Sequence, residues 1–423
     1  MTPRTRQEFF QNAITSGEVG AVAAQTVMVT LLPVLLARYT SSALLIGAAV
    51  GGEGVFALTL PVWSGMLSDR IGRHPGARLS GRMVVVSIAA ILLASSTAIA
   101  PFIKGYWASA GIAFVSFAAL HAYLTPFWAL TIDAVPDERR GRVQGVRGIL
   151  RSVGLAYGLV VAGLLFGISR PLPFLVAGLL VVATTTLSGA AARAVSPARH
   201  ESTHKGLGQA WRSLIRNRPA LWLLAADACW NASVDGIRPY FYLYAKNVLG
   251  TTVRQTSIGL LLLVIGLAGG SWFVGRLGDR YDRMRLLQAA SLGLAIAFAL
   301  GFTVRSIPVS LLIAGAAGLA ASAIMTLPLP LYANLVGDQS SGENTGLYVV
   351  SVTIGRVCSP LLVGGAVDLS SRFMPQTHGY PVMWLVSCAL ALAGWRCVRI
   401  SAHAVRERAR IGSPHAKRVA TTP

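Results

Sequence analysis

Long apolar runs separated by short polar connectors set the pattern of this chain. Runs of roughly 20 residues, the length a helix needs to cross the hydrocarbon core of a bilayer, occur twelve times. They lie approximately over residues 14–37, 42–65, 82–103, 106–130, 145–168 and 172–193, then over 219–245, 255–276, 285–304, 308–333, 345–368 and 380–398. The connectors repeat as well. The stretch from Gly65 to Arg73, with Asp69, Arg70 and Gly72 inside it, returns in altered form as Gly275, Asp279, Arg280, Asp282 and Arg283, at an offset of 210. A second offset of 201 carries Gly141, Gly145, Gly154 and Gly163 onto Gly342, Gly346, Gly355 and Gly364. Two independent offsets near half the chain predict an internal duplication. The expected architecture is an all-α polytopic membrane protein of twelve spans, two six-helix pseudo-repeats around a central cavity. The repeats fall at 14–193 and 219–398, with an N-terminal tail over 1–13, a linker over 194–218 and a basic tail over 399–423.

Composition agrees with a bilayer solvent: 54% of the 423 residues are hydrophobic and 13% charged, with a mean hydropathy of +0.60. The net charge of +21 raises nucleic acid as a partner, but the basic residues are distributed otherwise. With the N-terminus inside, one side of the membrane has only Arg38, Lys104, Arg170, Lys246, Arg254, Arg305 and Arg372, and nearly all the rest lie on the other. This is the positive-inside bias. It predicts cytoplasmic termini, an inner or plasma membrane location and anionic headgroups as the counter-charge, with no nucleic-acid partner. Cys229, Cys358, Cys388 and Cys397 all sit in apolar runs and read as packing residues. The linker contains His200, Glu201 and His204 in an H-E-x-x-H match. Flanking Arg199, Lys205 and nearby glycines make it a coincidence of a polar linker, so no metal and no cofactor are expected.

The informative residues are the polar ones inside the spans, because a charge at the bilayer centre costs about 2.5 to 3.5 kcal/mol on insertion scales. The first span has Glu18 and Gln25 on one face, and the second has Glu53 near its middle. The fourth carries His121 and Trp128, and the fifth Arg151. The seventh is the most polar: Asp227, Asn231, Asp235 and Arg238 form a stripe at helical spacing beside Trp230, with Asp235 and Arg238 placed to pair locally. The eleventh carries Tyr348, Ser351 and Arg356. These are the candidate proton-coupling residues (Glu53, Glu18) and the candidate lining of a substrate path (Gln25, His121, Trp128, Arg151, Asp227, Trp230, Asn231, Asp235, Arg238, Tyr348 and Arg356). At the cytoplasmic edge Asp133 and Arg142 frame the connector between spans four and five, and Asp133 is within plausible reach of Arg73.

The pattern G-x-x-x-D-R-x-G-R, met at Gly65, Asp69, Arg70, Gly72 and Arg73, resembles the loop signature of the major facilitator superfamily. The likeness extends over the whole chain. His74 stands where another basic residue is common, and the second copy has Asp282 where the first has Gly72. The resemblance implies that Gly65, Asp69, Arg70, Gly72, Arg73, Asp133 and Arg142, with Gly275, Asp279, Arg280 and Arg283 in the second half, form a conformational latch. Asp133, Pro136, Arg140, Gly141, Arg142 and Gly145 are similar to a segment of the sugar-cation symporters, including the melibiose permease group. The run Gly145, Gly154, Gly158, Leu159, Ala162 and Gly163 approaches the drug-antiporter pattern G-x₈-G-x₃-G-P-x₂-G-G, with Leu159 in place of the proline.

There is no G-x-x-x-x-G-K-[ST] phosphate loop in the sequence, which argues against transport driven by ATP on this chain. The expected activity is therefore secondary active transport of a small organic solute by a monomer, without enzymatic chemistry, coupled to protons or another cation. Symport of a polar or sugar-like solute is slightly favoured. A proton/drug antiporter is the alternative, with a non-transporting receptor or scaffold and a membrane enzyme behind it.

Overall fold

The structure is a computed structural model. It describes residues 3–71, 78–195, 214–215, 217–278, 280–336 and 341–410. Eleven helices among these residues are long and apolar enough to cross a membrane. The helix expected as the seventh of the twelve falls short, for a reason visible in its sequence. It holds Arg218, Asp227 and Asp235 within the 18 residues Arg218–Asp235. It then opens into a turn and resumes over Phe241–Val248. Pro239 in that turn has no N–H to donate, and Gly236 is a poor helix former.

In chain order, α1 is assembled from Pro3–Ala13, a 3₁₀ turn at Ile14–Ser16, Gly17–Thr30 and Leu32–Leu36. It starts well before the expected residue 14. Next come α2 (Ala43–Ile71), α3 (Arg78–Ile99) and α4 (Tyr106–Ala134). In α5, an α-helix over Asp137–Ala156 passes through a π turn at Tyr157–Val161 into Ala162–Ile168. Then follow α6 (Leu172–Arg193) and the broken α7 just described. The remainder are α8 (Val253–Gly278), α9 (Arg283–Thr303), α10 (Ile307–Thr326, then Pro328–Val336), α11 (Ser341–Ser371) and α12 (Val382–Arg410).

The chain divides into two compact units, residues 1–202 with 252–258 and residues 203–251 with 259–423. Helix pairs recur in the two units. In the first, α1 packs on α5 and α6, α3 on α4 and α6, and α2 on α4. In the second, α7 packs on α11 and α12, α9 on α10 and α12, and α8 on α10 through Gly266 and Gly318.

Lipid tails are as apolar as leucine side chains, so helix association inside a bilayer depends on close packing and polar contacts. Glycine supplies the packing. A Cβ on Gly154 of α5 would stand 2.6 Å from the Val19 carbonyl oxygen and 3.3 Å from the Ala23 nitrogen of α1. One on Gly355 of α11 would stand 2.5 Å from the Ala228 carbonyl oxygen and 3.0 Å from the Ala232 nitrogen of α7. Gly154 and Gly355 are counterparts at offset 201, and their contacts pair residue 19 with 228 and 23 with 232, at offset 209. Large buried side chains fill the rest of the first unit: Leu120, Tyr123, Phe127 and Val181 in mid-span, Ile14, Leu130, Val135 and Val143 toward the end of α4. Tyr123 and Phe127 stack with centroids 5.1 Å apart.

Candidate functional site

Three polar clusters among the described residues of the first unit hold candidate residues. The innermost joins α1, α2 and α4. Glu53 of α2 is buried and accepts a hydrogen bond from Gln25 Nε2 of α1. The Nε2 atom of His121 of α4 lies 3.6 Å from the same Oε1. His121 is buried, and that nitrogen has no hydrogen-bond partner among the described residues. A carboxylate, an amide and an imidazole thus converge inside three membrane-crossing helices.

The second cluster surrounds Glu18 of α1, which has no exposed surface. Arg147 Nε donates to Oε2 at 3.0 Å, Arg151 Nη1 to Oε1 at 3.3 Å and Trp128 Nε1 to Oε2 at 3.2 Å. The Arg147 guanidinium also lies over the Trp128 ring, 4.5 Å from its centroid, so the indole supplies both a donor and a π face. Arg147 is the residue that sequence reasoning missed here. Its signal was its place one helical turn before Arg151, on the same face.

The third cluster is where the end of α2, the start of α3 and the end of α4 meet. Arg82 of α3 donates from Nε to Asp133 Oδ2 of α4 at 2.7 Å and pairs through Nη2 with Asp69 Oδ1 of α2 at 3.0 Å. Its Nη1 reaches the Ser68 hydroxyl at 3.3 Å. One guanidinium therefore ties three helix ends. Arg82 had the look of an ordinary loop cation, and only the fold shows that both acids converge on it. Gly72 and Arg73 lie outside the described residues, as do Asp279 and the linker histidines His200 and His204. Gly65 faces α4, where a Cβ would meet Thr125 at 3.4 Å. Arg70, Arg142 and Arg280 are exposed. Gly275 is within α8, and Arg283 is the first residue of α9. The departure at Asp282 has a local cause: its carboxylate caps α9, accepting from the Met284 N–H at 2.8 Å, a role open to aspartate and closed to glycine.

In the second unit Asp235 is bracketed by Arg238 and Arg356, each at 2.9 Å. The local pair with Arg238 follows the expected spacing, and Arg356 joins it from α11. Asp227 is 1% exposed and accepts from the Tyr348 hydroxyl at 3.2 Å and the Ser351 hydroxyl at 3.3 Å. The Asn231 side chain donates to the Asp227 backbone carbonyl at 2.8 Å. Trp230 has no exposed surface and fills the space that Gly394 leaves on α12, which is the position of a packing residue.

With this geometry in view, the comparisons with known proteins are specific about family. The model described as Major Facilitator Superfamily matches residues 15–360 and again 249–419. The chain belongs to the major facilitator superfamily. It is a multi-pass integral membrane transporter of small solutes, and not an enzyme. Among solved structures, it is similar to a bacterial homologue of the human lysosomal transporter Spinster in an inward-facing, unoccupied conformation. That likeness has 16% identity, 96% of each chain covered and a TM-score of 0.70. It is also similar to the nucleoside transporter NupG, at 13% identity over 92% of this chain and 98% of that one, with a TM-score of 0.69. At such identities the likeness is one of fold. No curated protein matches the sequence.

Proposed function

We propose that this protein is a proton-coupled secondary transporter of a polar or anionic organic solute, working by alternating access in the cytoplasmic or plasma membrane with both termini inside. The observation that carries the coupling is the Glu53 cluster. Glu53 is buried between membrane-crossing helices, with an amide donor on one side and, 3.6 Å away on the other, an imidazole nitrogen that makes no hydrogen bond among the described residues. Such a trio can take a proton from an aqueous path and return it. We assign this task to Glu53 in preference to Glu18, because Glu18 is held by two guanidiniums, Arg147 at 3.0 Å and Arg151 at 3.3 Å. Arg151, whose side chain is 46% exposed, and Arg356, whose side chain is 28% exposed, are the cations best placed to meet an anionic solute.

A proton/drug antiporter is the second reading, and one feature favours it. The π turn at Tyr157–Val161 spans Leu159, the residue that replaces the antiporter proline. The turn locally widens the helix as π bulges do, so the deformation is present without the proline.

The test begins with the solute. A thermal-shift panel of sugars, organic acids, amino acids and lipophilic cations on detergent-purified protein should reveal a ligand, which at about 100 times its Kd stabilises by about 2.7 kcal/mol. Proteoliposomes then settle coupling: an imposed pH gradient must drive that solute, and absence of any response to pH ends the proton reading. Accumulation driven by an acidic exterior marks symport, and accumulation driven by an acidic interior marks antiport.

The Arg82 cluster gives a separate expectation. Charge-assisted hydrogen bonds contribute about 1.5 to 3 kcal/mol each, and about 1.4 kcal/mol is tenfold in an equilibrium. Arg82→Gln, which releases both Asp69 and Asp133, should therefore slow turnover about tenfold or more while ligand binding in the thermal-shift assay persists. Unchanged turnover would remove the cluster from the transport cycle.

A further inference from the structure

Superposing the repeats residue by residue places two acids in one position. The contacts of Gly154 and Gly355 equate residue 19 of α1 with 228 of α7 and residue 23 with 232. By the same offset of 209, Glu18 is the counterpart of Asp227. On the partner helix, the offset of 201 equates Arg147 with Tyr348. The two contacts match: Arg147 reaches Glu18 at 3.0 Å and Tyr348 reaches Asp227 at 3.2 Å. The repeat has kept an acid facing the same turn of α5 or α11 and changed what faces the acid.

That change decides the chemistry. Glu18 has two guanidiniums, each at ion-pair distance. Around Asp227 the donors are hydroxyls. From α11 these are Tyr348 and Ser351. Arg356, on the same helix, is committed to Asp235 at 2.9 Å. From the second segment of α10 comes Tyr332, its ring 6.0 Å from that of Tyr348. On α12 the thiol of Cys397 neighbours Cys229 of α7. On α7 itself Asn231 serves the backbone and Asp235 is the acid two turns on. Among the described residues, no Lys, Arg or His forms an ion pair with Asp227. Buried among hydroxyl donors, and within the field of Arg356 but without an ion pair to it, Asp227 lacks the direct guanidinium contacts that hold Glu18.

We propose that Asp227 is a proton-binding site of the second repeat, the functional counterpart of an acid that the first repeat has locked with arginine. In that role the proton on Asp227 governs the α7–α11 contact: protonated, Asp227 can donate to the Ser351 hydroxyl; ionised, it only accepts. Its part in transport rests on the proton-coupled reading above, whereas its protonation does not.

The test needs no solute. Attenuated-total-reflection infrared spectra of the reconstituted full chain, titrated with pH, report protonated carboxyl groups through their C=O stretch. Wild type should show a component that disappears in Asp227→Asn. A separate component should disappear in Glu53→Gln, and none should disappear in Glu18→Gln. Tyr348→Phe and Ser351→Ala should move the frequency of the Asp227 component, since each removes a hydrogen-bond partner. These two variants carry the test if Asp227→Asn fails to fold. A full set of carboxyl components in Asp227→Asn, no frequency change in Tyr348→Phe and Ser351→Ala, or no carboxyl signal at any pH overturns the proposal. If only the Glu53 component is absent, the proton assignment of the preceding section falls and this one stands.

Discussion

Glu53→Gln is expected to leave solute binding and exchange in place and to abolish accumulation driven by a proton gradient. One proton crossing about 100 mV contributes roughly 2.3 kcal/mol, and each unit of pH difference adds about 1.4 kcal/mol. One of each supports a solute gradient of roughly a few hundred-fold. The glutamine keeps the shape of the side chain and its ability to accept from Gln25, so the fold around α1, α2 and α4 should survive. What it loses is the proton. Counterflow exchange in proteoliposomes should thus run near the wild-type rate, while the gradient-driven ratio collapses to about one. If pH-dependent uptake is instead undiminished in Glu53→Gln, the carrier is another group. His121→Gln separates the two partners: loss of coupling there too would show that the imidazole relays the proton, and retention would make it a neighbour only.

The second large effect is on stability. Glu18 has no exposed surface and depends on Arg147, Arg151 and Trp128 for its partners. Leaving a buried charge without its partner costs about 3 to 5 kcal/mol. Removing both arginines in Arg147→Ala/Arg151→Ala should cost about that much, visible as a large fall in thermal stability in detergent or as loss of folded protein. The single changes should differ from each other. The Arg151 side chain is 46% exposed and that of Arg147 only 18%. Arg151→Ala should accordingly cost about 1 kcal/mol or less, as exposed pairs do, and Arg147→Ala should cost more, because it also removes the guanidinium from the Trp128 face. Equal effects of the two single changes would show that burial does not rank these contacts. Restoring stability by adding Glu18→Gln to the double variant would show that the uncompensated carboxylate is the cause.

The sequence and the fold were not equally legible in all parts. The apolar runs are direct readouts of bilayer thickness, and for that reason the helices lie close to where hydropathy puts them. The seventh was the exception because its charges and Pro239 act against the same periodicity that marks it as a span. Polar residues in mid-span were legible individually, since each is expensive and so conspicuous: Glu18, Glu53, Asp227 and Asp235 are all in polar clusters. Their partners were harder to read. Arg82 and Arg147 are at positions where a positive-inside loop or helix end already explains an arginine, so nothing in the sequence separated a loop charge from one holding two acids. Trp230 shows the opposite case. An aromatic residue beside a polar stripe reads as a ring-binding wall, yet a glycine on α12, distant in sequence, left a space of its size. Such complementarity between helices far apart in the chain has no one-dimensional trace. Asp282 shows a third case, in which a departure from a repeated pattern is explained by the start of a helix one residue later.

The glycine contacts at positions 154 and 355 also bear on how this molecule can be observed. At both, the glycine lies against backbone atoms of the neighbouring helix, joined at Gly154 by the Cβ of Val22, which no rotamer change moves. The α1–α5 and α7–α11 pairs thereby have little room to slide, and labels attached across either pair should keep their separation. They would act as internal rulers, against which the displacement of any third helix in the same unit is read.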